Sequence, residues 1–483
     1  MLQILKKLFV KLNSSSIAYC HWKSNSHLEA GLSGDTDLDL LVREGQKEEF
    51  KEVLIKCGFK HVIPSRLRQY PEVEHYLGFD FDMGKVAHLH VYYKLVLGQR
   101  YVKNYRLPIE NCMFTDLRLM KEVYVPTVEL ELLLLLIRAS MKLSFRDVLG
   151  YLLGRTKMPL PKGLSEEFVW LARNFDNEKF IEALDKSGLA LSRARLAEFA
   201  QNVKEGTLTL PKVLLVRNHI FTALRPLRRQ SSLCALRRAV FVRLSSVALL
   251  QHFLQGSKKR LDGRGRTIAL VGADGSGKTT TCRALSKCLG RKLWVKRYYL
   301  GSGQPTLQSR FLRVLVIPML VPRRIWSRAY WARLLRHYAH GMIELFNAWD
   351  RASRFRKGLR MTSKGCIVFF DRYPILGVAD EPVLLKKGNE LKENAFARWI
   401  ARKVYSIYEE VKEPDVLFHL SLAPEIAIIR KPEHNREMIA AKEARLEFYS
   451  EKMGRSGKAV RVDASATQER VVLDIIKEVW RRL

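Results

Sequence analysis

The stretch Gly272-Ala273-Asp274-Gly275-Ser276-Gly277-Lys278-Thr279, set directly after the apolar run Ile268-Ala269-Leu270-Val271, constrains this chain more than any other. It fits G-x-x-x-x-G-K-[ST], in which glycines let backbone N–H groups close around phosphate oxygens, a lysine reaches the outer phosphates and a hydroxyl ligates Mg²⁺. Such a loop needs a buried strand before it and a helix after it. Arg266 to Val271 supplies the strand, and Thr280 to Leu289 reads as a helix with Gly290 as its stop. Motif and context together predict a nucleoside-triphosphate site; the competing reading is a glycine-rich surface turn.

At 483 residues the chain has room for two or three domains of ~100–200 residues each. A hydrophobic content of 47% argues for packed cores rather than disorder. No run approaches the ~20 apolar residues that span a bilayer, and Met1 to Leu12 has no signal-peptide pattern. The expected address is therefore the cytoplasm, with a peripheral membrane location as an option. Seven scattered cysteines, never in C-x-x-C, indicate neither a disulfide framework nor a zinc site.

Charge is localised. Lysine and arginine number 84 against 49 acidic residues, a net +35, and between Gly206 and Gly341 the only acids are Asp262 and Asp274. A field of that sign attracts polyanions. Residues 206–341 could thus meet an anionic membrane surface or nucleic acid, or form a solvated basic face. A homodimer is equally compatible.

In chain order, Met1 to Leu12 predicts an amphipathic helix. Tyr19-Cys20-His21-Trp22-Lys23-Ser24 follows, then Asp35-Thr36-Asp37-Leu38-Asp39-Leu40-Leu41-Val42. Asp37 and Asp39 flank one apolar residue on a strand, which points both carboxylates to one face as metal–triphosphate chemistry requires. The pattern resembles the polymerase-beta type of nucleotidyltransferase, with Lys23-Ser24 where that fold has Gly-Ser. The resemblance implies an α+β domain over residues 1–115 with Asp37 and Asp39 as metal ligands. A third carboxylate does not declare itself: Asp80 and Asp82 are candidates, but Met83-Gly84-Lys85 reads as a hairpin turn. His88 and His90 share a face of the next strand and could serve instead.

Pro126 to Glu131 opens a long apolar helix, Leu132 to Leu143, with Thr127 in its cap region, and helices continue through Glu205. Residues 116–205 are thus a helical spacer in which nothing reads as chemistry. Residues 206–265 form a basic amphipathic linker, in which Arg228, Arg229, Arg237 and Arg238 lie beside Leu, Val and Phe. A membrane interface and packing on another domain suit that pattern equally.

Residues 266–483 carry further strands at Lys292–Leu300, Gly365–Asp371, Pro414–Leu420 and Ala459–Ala464. Alternation with helices predicts a parallel α/β sheet with ligands at the carboxyl ends of its strands. Five landmarks follow in order: the Gly272–Thr279 loop, Ala348-Trp349-Asp350-Arg351, Asp371-Arg372-Tyr373 with Gly377-Val378-Ala379, Pro414-Asp415, and Asp463-Ala464-Ser465.

Together these resemble the thymidylate kinase family of P-loop kinases. The resemblance implies an ATP site of Gly272, Asp274, Gly275, Ser276, Gly277, Lys278, Thr279 and Thr280, with Thr279 and Asp371 on Mg²⁺. It implies acceptor contacts from Asp274, Arg351 and Arg372, with Asp380 at the acceptor position where the family has an aromatic or glutamine, and catalytic roles for Lys278, Asp371, Arg372, Arg430 and Arg436, the last two from a lid. The acceptor segment departs from the family, with Tyr299-Leu300-Gly301-Ser302-Gly303 and Asn347 where the family has Arg-Glu-Pro-Gly-Gly and an aromatic. The expected activity is an ATP- and Mg²⁺-dependent phosphotransferase acting on a nucleotide or sugar-phosphate acceptor. The alternative is an ATP-switched binding protein whose basic middle engages membrane or nucleic acid.

Overall fold

In the computed structural model Met1–Ser257 and Lys258–Leu483 form two units, each with its own core. The structure describes the whole chain apart from residues 100–101, 157, 162, 245–257, 302–305, 317–329, 376–394 and 434. Gly377-Val378-Ala379, Asp380, Ser302 and Gly303 therefore lie outside the described residues.

In the first unit, α1 (Gln3–Asn13) buries Ile4, Leu5, Leu8, Phe9 and Leu12, the helical spacing that lays one apolar stripe on a sheet. That sheet contains β1 (Tyr19–His21), β2 (Leu38–Val42), β3 (Lys60–Ile63), β4 (Val73–Asp80) and β5 (Lys85–Tyr92) in the order β1-β2-β5-β4-β3. The β2/β5 pair is parallel; the pairs β1/β2, β5/β4 and β4/β3 are antiparallel. Gly84, at φ +64°, turns the β4–β5 hairpin.

Asp80 does not become a third metal carboxylate. Its oxygens accept from the backbone N–H groups of Ile4 (3.1 Å), Asp82 (3.2 Å) and Met83 (2.9 Å), so it ties α1 to the hairpin, and Asp82 is exposed on the turn.

Helix α2 (Val128–Lys142) begins four residues before the predicted Leu132, because Thr127 caps it by accepting from Leu130 N–H at 3.3 Å. Its segment from Leu132 to Ile137 is apolar on every side and so must be covered on every side. Leu132 to Ile137 are buried, packed with α3 (Ser165–Asn174) and Asn177–Lys186, and Arg193–Glu205 contributes to the same core. Leu210–Ala223 adds Val213, Val216 and Ile220 to this same core.

Helix Ser232–Leu244 lies on the turn Arg66–Arg68 of the same unit, where Arg238 donates to the Gln69 carbonyl at 2.6 Å. Arg228 donates to Tyr105 Oη at 2.9 Å, and the backbone N–H of Arg229 to Asn104 O at 2.8 Å. These arginines are anchored on neighbouring loops. Among the described residues no helix is long and apolar enough to cross a membrane.

The second unit is built on β6 (Thr267–Gly272), β7 (Val295–Tyr299), β8 (Ile367–Asp371), β9 (Val416–Ser421) and β10 (Ala459–Asp463), all parallel, in the order β7-β8-β6-β9-β10. Strands β6 and β8 are buried along their whole length, as a sheet covered on both faces requires. The chain crosses from one side of β6 to the other between β8 and β9, which opens a crevice at the carboxyl ends of β6 and β8. Lys258 to Gly265 belongs to this unit, with Leu261 N–H donating to Gly365 O at 3.0 Å.

One buried ion pair tests how the first unit is held together. Arg138 on α2 meets Glu167 on α3 at 3.3 Å, and both side chains are almost wholly buried. Arg138→Met should destabilise this unit by about 3–5 kcal/mol by leaving Glu167 charged and unpaired, whereas adding Glu167→Met should restore most of the loss. Urea unfolding followed on the first unit's transition checks both.

Candidate functional site

In the second unit the loop after β6 uses three glycines at positive φ: Gly272 (157°), Gly275 (90°) and Gly277 (79°). At Gly272 a Cβ would stand 2.5 Å from Ser276 Oγ and 2.6 Å from Leu420 O, so both conformation and space require glycine. Helix α4 (Lys278–Leu289) starts at the loop's end and aims its first N–H groups back into it. Ser276 Oγ is buried with no hydrogen-bond partner among the described residues.

Lys278 Nζ donates to the carbonyls of Gly272 (2.9 Å) and Ala273 (2.7 Å) and lies 3.9 Å from Asp274. Burial pushes its ammonium down to about 8; Asp274 opposes that, while Lys442 and Arg372 add to it. Burial raises Asp274, but Lys278 and Lys442, the latter at 3.2 Å, outweigh it and hold the carboxyl below its ordinary value.

Asp371 ends β8 and is fully buried. Thr279 Oγ1 donates to its Oδ1 at 3.1 Å, while Oδ2 lies 4.0 Å from Arg297 and has no hydrogen bond among the described residues. Burial raises this carboxyl, with Thr279 and Arg297 opposing. Arg372 follows at φ +59°, a left-handed conformation that costs a non-glycine residue energy. It carries its guanidinium over the Tyr299 ring at 5.6 Å.

A cavity of about 120 Å³ opens between Gly272, Asp274, Lys278, Gly301, Arg351 and Arg372. Arg351 comes from α5 (Tyr330–Thr362) and bonds to Tyr408 Oη. Its neighbour Asp350 accepts from Thr306 N–H (3.2 Å) and Oγ1 (2.6 Å), so that motif acid fastens α5 to the start of the helix Leu307–Val316.

The two expected lid arginines separate. Arg430 ends α6 (Pro424–Arg430) and donates to Ala464 O at 3.1 Å and Gly275 O at 3.5 Å, beside the loop. Arg436 starts α7 (Arg436–Gly454) and is exposed, paired with Glu425. Thr280 is exposed on the first turn of α4. Arg297 and Lys442 were not foreseen: Arg297 sits two residues before the end of β7, and nothing in the sequence separates Lys442 from the other cations of α7.

A second polar cluster lies on the first unit's sheet. Asp39 meets Lys23 at 2.8 Å and His90 at 3.3 Å; burial raises its carboxyl, but those two partners outweigh burial and hold it well below the usual range. Asp37, just before β2, lies 2.7 Å from His88 and 3.5 Å from His90. Ser24 takes the left-handed conformation at φ +59°, and helices hold the turn around it. Arg138 donates to Ser24 Oγ at 3.2 Å, and Glu131 accepts from Asn25 N–H and Nδ2, both at 2.8 Å.

Burial pushes Glu131 up to about 7. The helical spacer thus contributes charged groups that the sequence reading passed over. The signal was Glu131, Arg138 and Lys142 at seven- and four-residue spacing inside a leucine run, one stripe of α2. Next to it, a cleft of about 820 Å³ is lined by Lys103, Lys142 and Arg243 among others, and Lys103 donates to Tyr92 Oη at 2.8 Å.

No family model matches the chain. It is similar to the uncharacterized ATP-binding protein YghS of Escherichia coli K12, 28% identical over 180 residues, 35% of this chain and 74% of that protein. The uncharacterized ATP-binding protein YghR of the same strain is 25% identical over 178 residues, 35% of this chain and 69% of that protein. Among solved structures, deoxyadenosine kinase from M. mycoides with products dCMP and a flexible dCDP bound gives a TM-score of 0.28 at 14% identity, over 44% of this chain and 98% of that one. The same enzyme with bound dATP gives 0.27 at 15% over the same shares. Scores this low establish no common fold.

The loop geometry sets an expectation for stability. Gly272→Ala should cost the second unit about 1–3 kcal/mol, since the added Cβ meets Leu420 O, a backbone atom that does not move aside. Thermal unfolding of the second unit measures it.

Proposed function

We propose that the second unit is an ATP- and Mg²⁺-dependent phosphotransferase of the thymidylate-kinase-like type, acting on a nucleoside monophosphate or a related phosphorylated or sugar metabolite. The observation that carries this reading is the approach of Thr279, on the first turn of α4, to Asp371 at the carboxyl end of β8, 3.1 Å apart directly behind the glycine loop. The names of the ATP-binding relatives support the donor.

In this reading the amides of Gly275 to Thr279 receive the donor phosphates and Ser276 Oγ finds its partner there. Lys278 turns from the Gly272 and Ala273 carbonyls toward the outer phosphate oxygens. Thr279 and Asp371 suit Mg²⁺, since both present oxygens and Asp371 Oδ2 has no hydrogen bond among the described residues. When bound, that ion neutralises charge on the phosphate oxygens.

Arg351 and Arg372, with Asp274, orient the acceptor in the cavity between them. An acceptor oxygen then bonds to the outer phosphorus as the bond to the bridging oxygen breaks. Arg430 is the lid cation beside the loop, whereas Arg436 has to leave Glu425 before it can serve. No covalent nucleophile is needed, because positioning and cations at the equatorial oxygens lower this barrier.

Turnover of labelled ATP against a panel of nucleotide and sugar-phosphate acceptors tests the reading. Lys278→Ala should lower transfer by ~100-fold or more with the far-UV spectrum unchanged. Undiminished transfer in that folded variant, or no acceptor-dependent transfer by the wild type, would overturn it.

The depressed Lys278 adds a pH signature. Phosphate favours the charged lysine, so below about 8 the ammonium is already present and affinity is full. Above that value binding has to take up a proton, so ATP affinity should fall as pH rises and binding should be accompanied by proton uptake. Calorimetry in buffers of different ionisation enthalpy reads that proton; Lys278→Ala should abolish it.

A further inference from the structure

The geometry points to a divalent transition-metal centre of the zinc type in the first unit, bound by the ring nitrogens of His75, His88 and His90, with Asp37 and Asp39 orienting the rings. The register of the sheet assembles it. β5 pairs His90 with His75 of β4 on one side and with Asp39 of β2 on the other, so the three stand in one row across adjacent strands. His88, two residues earlier on β5, falls on the same face in the next row, beside Asp37.

The distances suit an ion. One ligand nitrogen from each of the three histidines lies within 4.8 Å of the others. His75 Nδ1 and His88 Nε2 are 3.3 Å apart. Two nitrogens bound to one tetrahedral zinc at ~2.0–2.1 Å each stand about 3.3–3.4 Å from one another. The ring centroids of His88 and His90 are 4.4 Å apart at 89°, and those of His75 and His90 4.6 Å at 78°. His90 therefore meets the other two rings edge-on, while His75 and His88 lie nearly parallel at 5.5 Å and 23°.

Two carboxylates flank these rings. Asp37 comes within 2.7 Å of His88 Nδ1, and His88 Nε2 faces His75. Asp39 lies 3.3 Å from His90 Nδ1, and Asp37 Oδ2 comes within 3.5 Å of the other ring nitrogen, Nε2. A carboxylate on the far nitrogen is the usual second partner of a metal-bound histidine.

The ligand set also selects the ion. Imidazoles suit zinc and its neighbours, whereas Mg²⁺ takes oxygens. Lys23 already occupies Asp39 at 2.8 Å, and its charge opposes a second cation at that carboxylate. Mg²⁺ held by Asp37 and Asp39, as the sequence pattern suggested, is therefore replaced by one imidazole-bound ion. Its fourth position is left to water or to an oxygen of an anionic ligand.

The test uses the full chain without a histidine tag, stripped with chelator and titrated with Co²⁺. One cobalt per chain should bind with visible d–d absorption, and Zn²⁺ but not excess Mg²⁺ should displace it. His75→Asn and His90→Asn should lose the band, while Asp371→Asn, in the other unit, should keep it. His90→Cys should retain the ion and add a thiolate-to-cobalt band, which decides the case if an asparagine variant fails to fold. No visible band in the wild type, a band that survives both asparagine variants, or no thiolate band in His90→Cys would overturn the assignment and leave a hydrogen-bonded imidazole chain.

Discussion

The second unit depends on how a concentrated set of cations is held at the carboxyl ends of β6 and β8. Lys278, Arg351, Arg372 and Lys442 line one small cavity, and Arg297 adjoins it through Asp371. Two unit charges ~4 Å apart interact by about 4 kcal/mol at the effective permittivity of a partly buried site. Asp274 and Asp371 are what the described residues set against that crowd. The imbalance is visible in Lys278, which burial, Lys442 and Arg372 together depress to about 8. A site in this state gains most from a ligand carrying several negative charges, and the glycine amides are already arranged to meet one.

The first unit handles buried charge differently. Lys23 is answered by Asp39, Arg138 by Glu167, and Glu131 by two donors of Asn25. Paired buried charges add little net stability, because desolvation offsets most of their attraction. They do fix geometry: Ser24 is held in a left-handed conformation that a serine rarely adopts, with Arg138 and Glu167 on its hydroxyl. That turn carries Lys23 to Asp39 and so sets the charge of the sheet face on which the histidines gather.

What was legible in the sequence follows from how local each signal is. The loop, its strand and its helix are encoded within two dozen consecutive residues, and their observed bounds, Thr267–Gly272 and Lys278–Leu289, lie within two residues of the expected ones. His88 and His90 were legible as a pair because a strand's period of two needs no partner. His75 was not, because only the β4–β5 register brings it opposite His90. Asp80 misled for the same reason: a carboxylate at a strand end looks free until α1 is seen to lay its N-terminus on it. Arg297 and Lys442 carry no periodic or motif signal at all; their positions are set by the parallel sheet and by α7 packing beside the loop.

The basic excess of the chain reads differently once its partners are known. Arg228 and Arg229 donate to a tyrosine hydroxyl and a lysine carbonyl, and Arg430 to the carbonyls of Ala464 and Gly275. A neutral oxygen satisfies the hydrogen-bonding demand of a guanidinium without cancelling its charge. These arginines are thus fixed in place, as an interior contact requires, while their field persists beyond the contact. Screening limits that field to about 8 Å at physiological salt. Its effect is therefore local, on anionic groups brought to the loop and to the cleft lined by Lys103 and Lys142. Part of the net charge of +35 is thus carried by cations such as Arg228, Arg229 and Arg430, fixed in place by hydrogen bonds that leave their charge unspent.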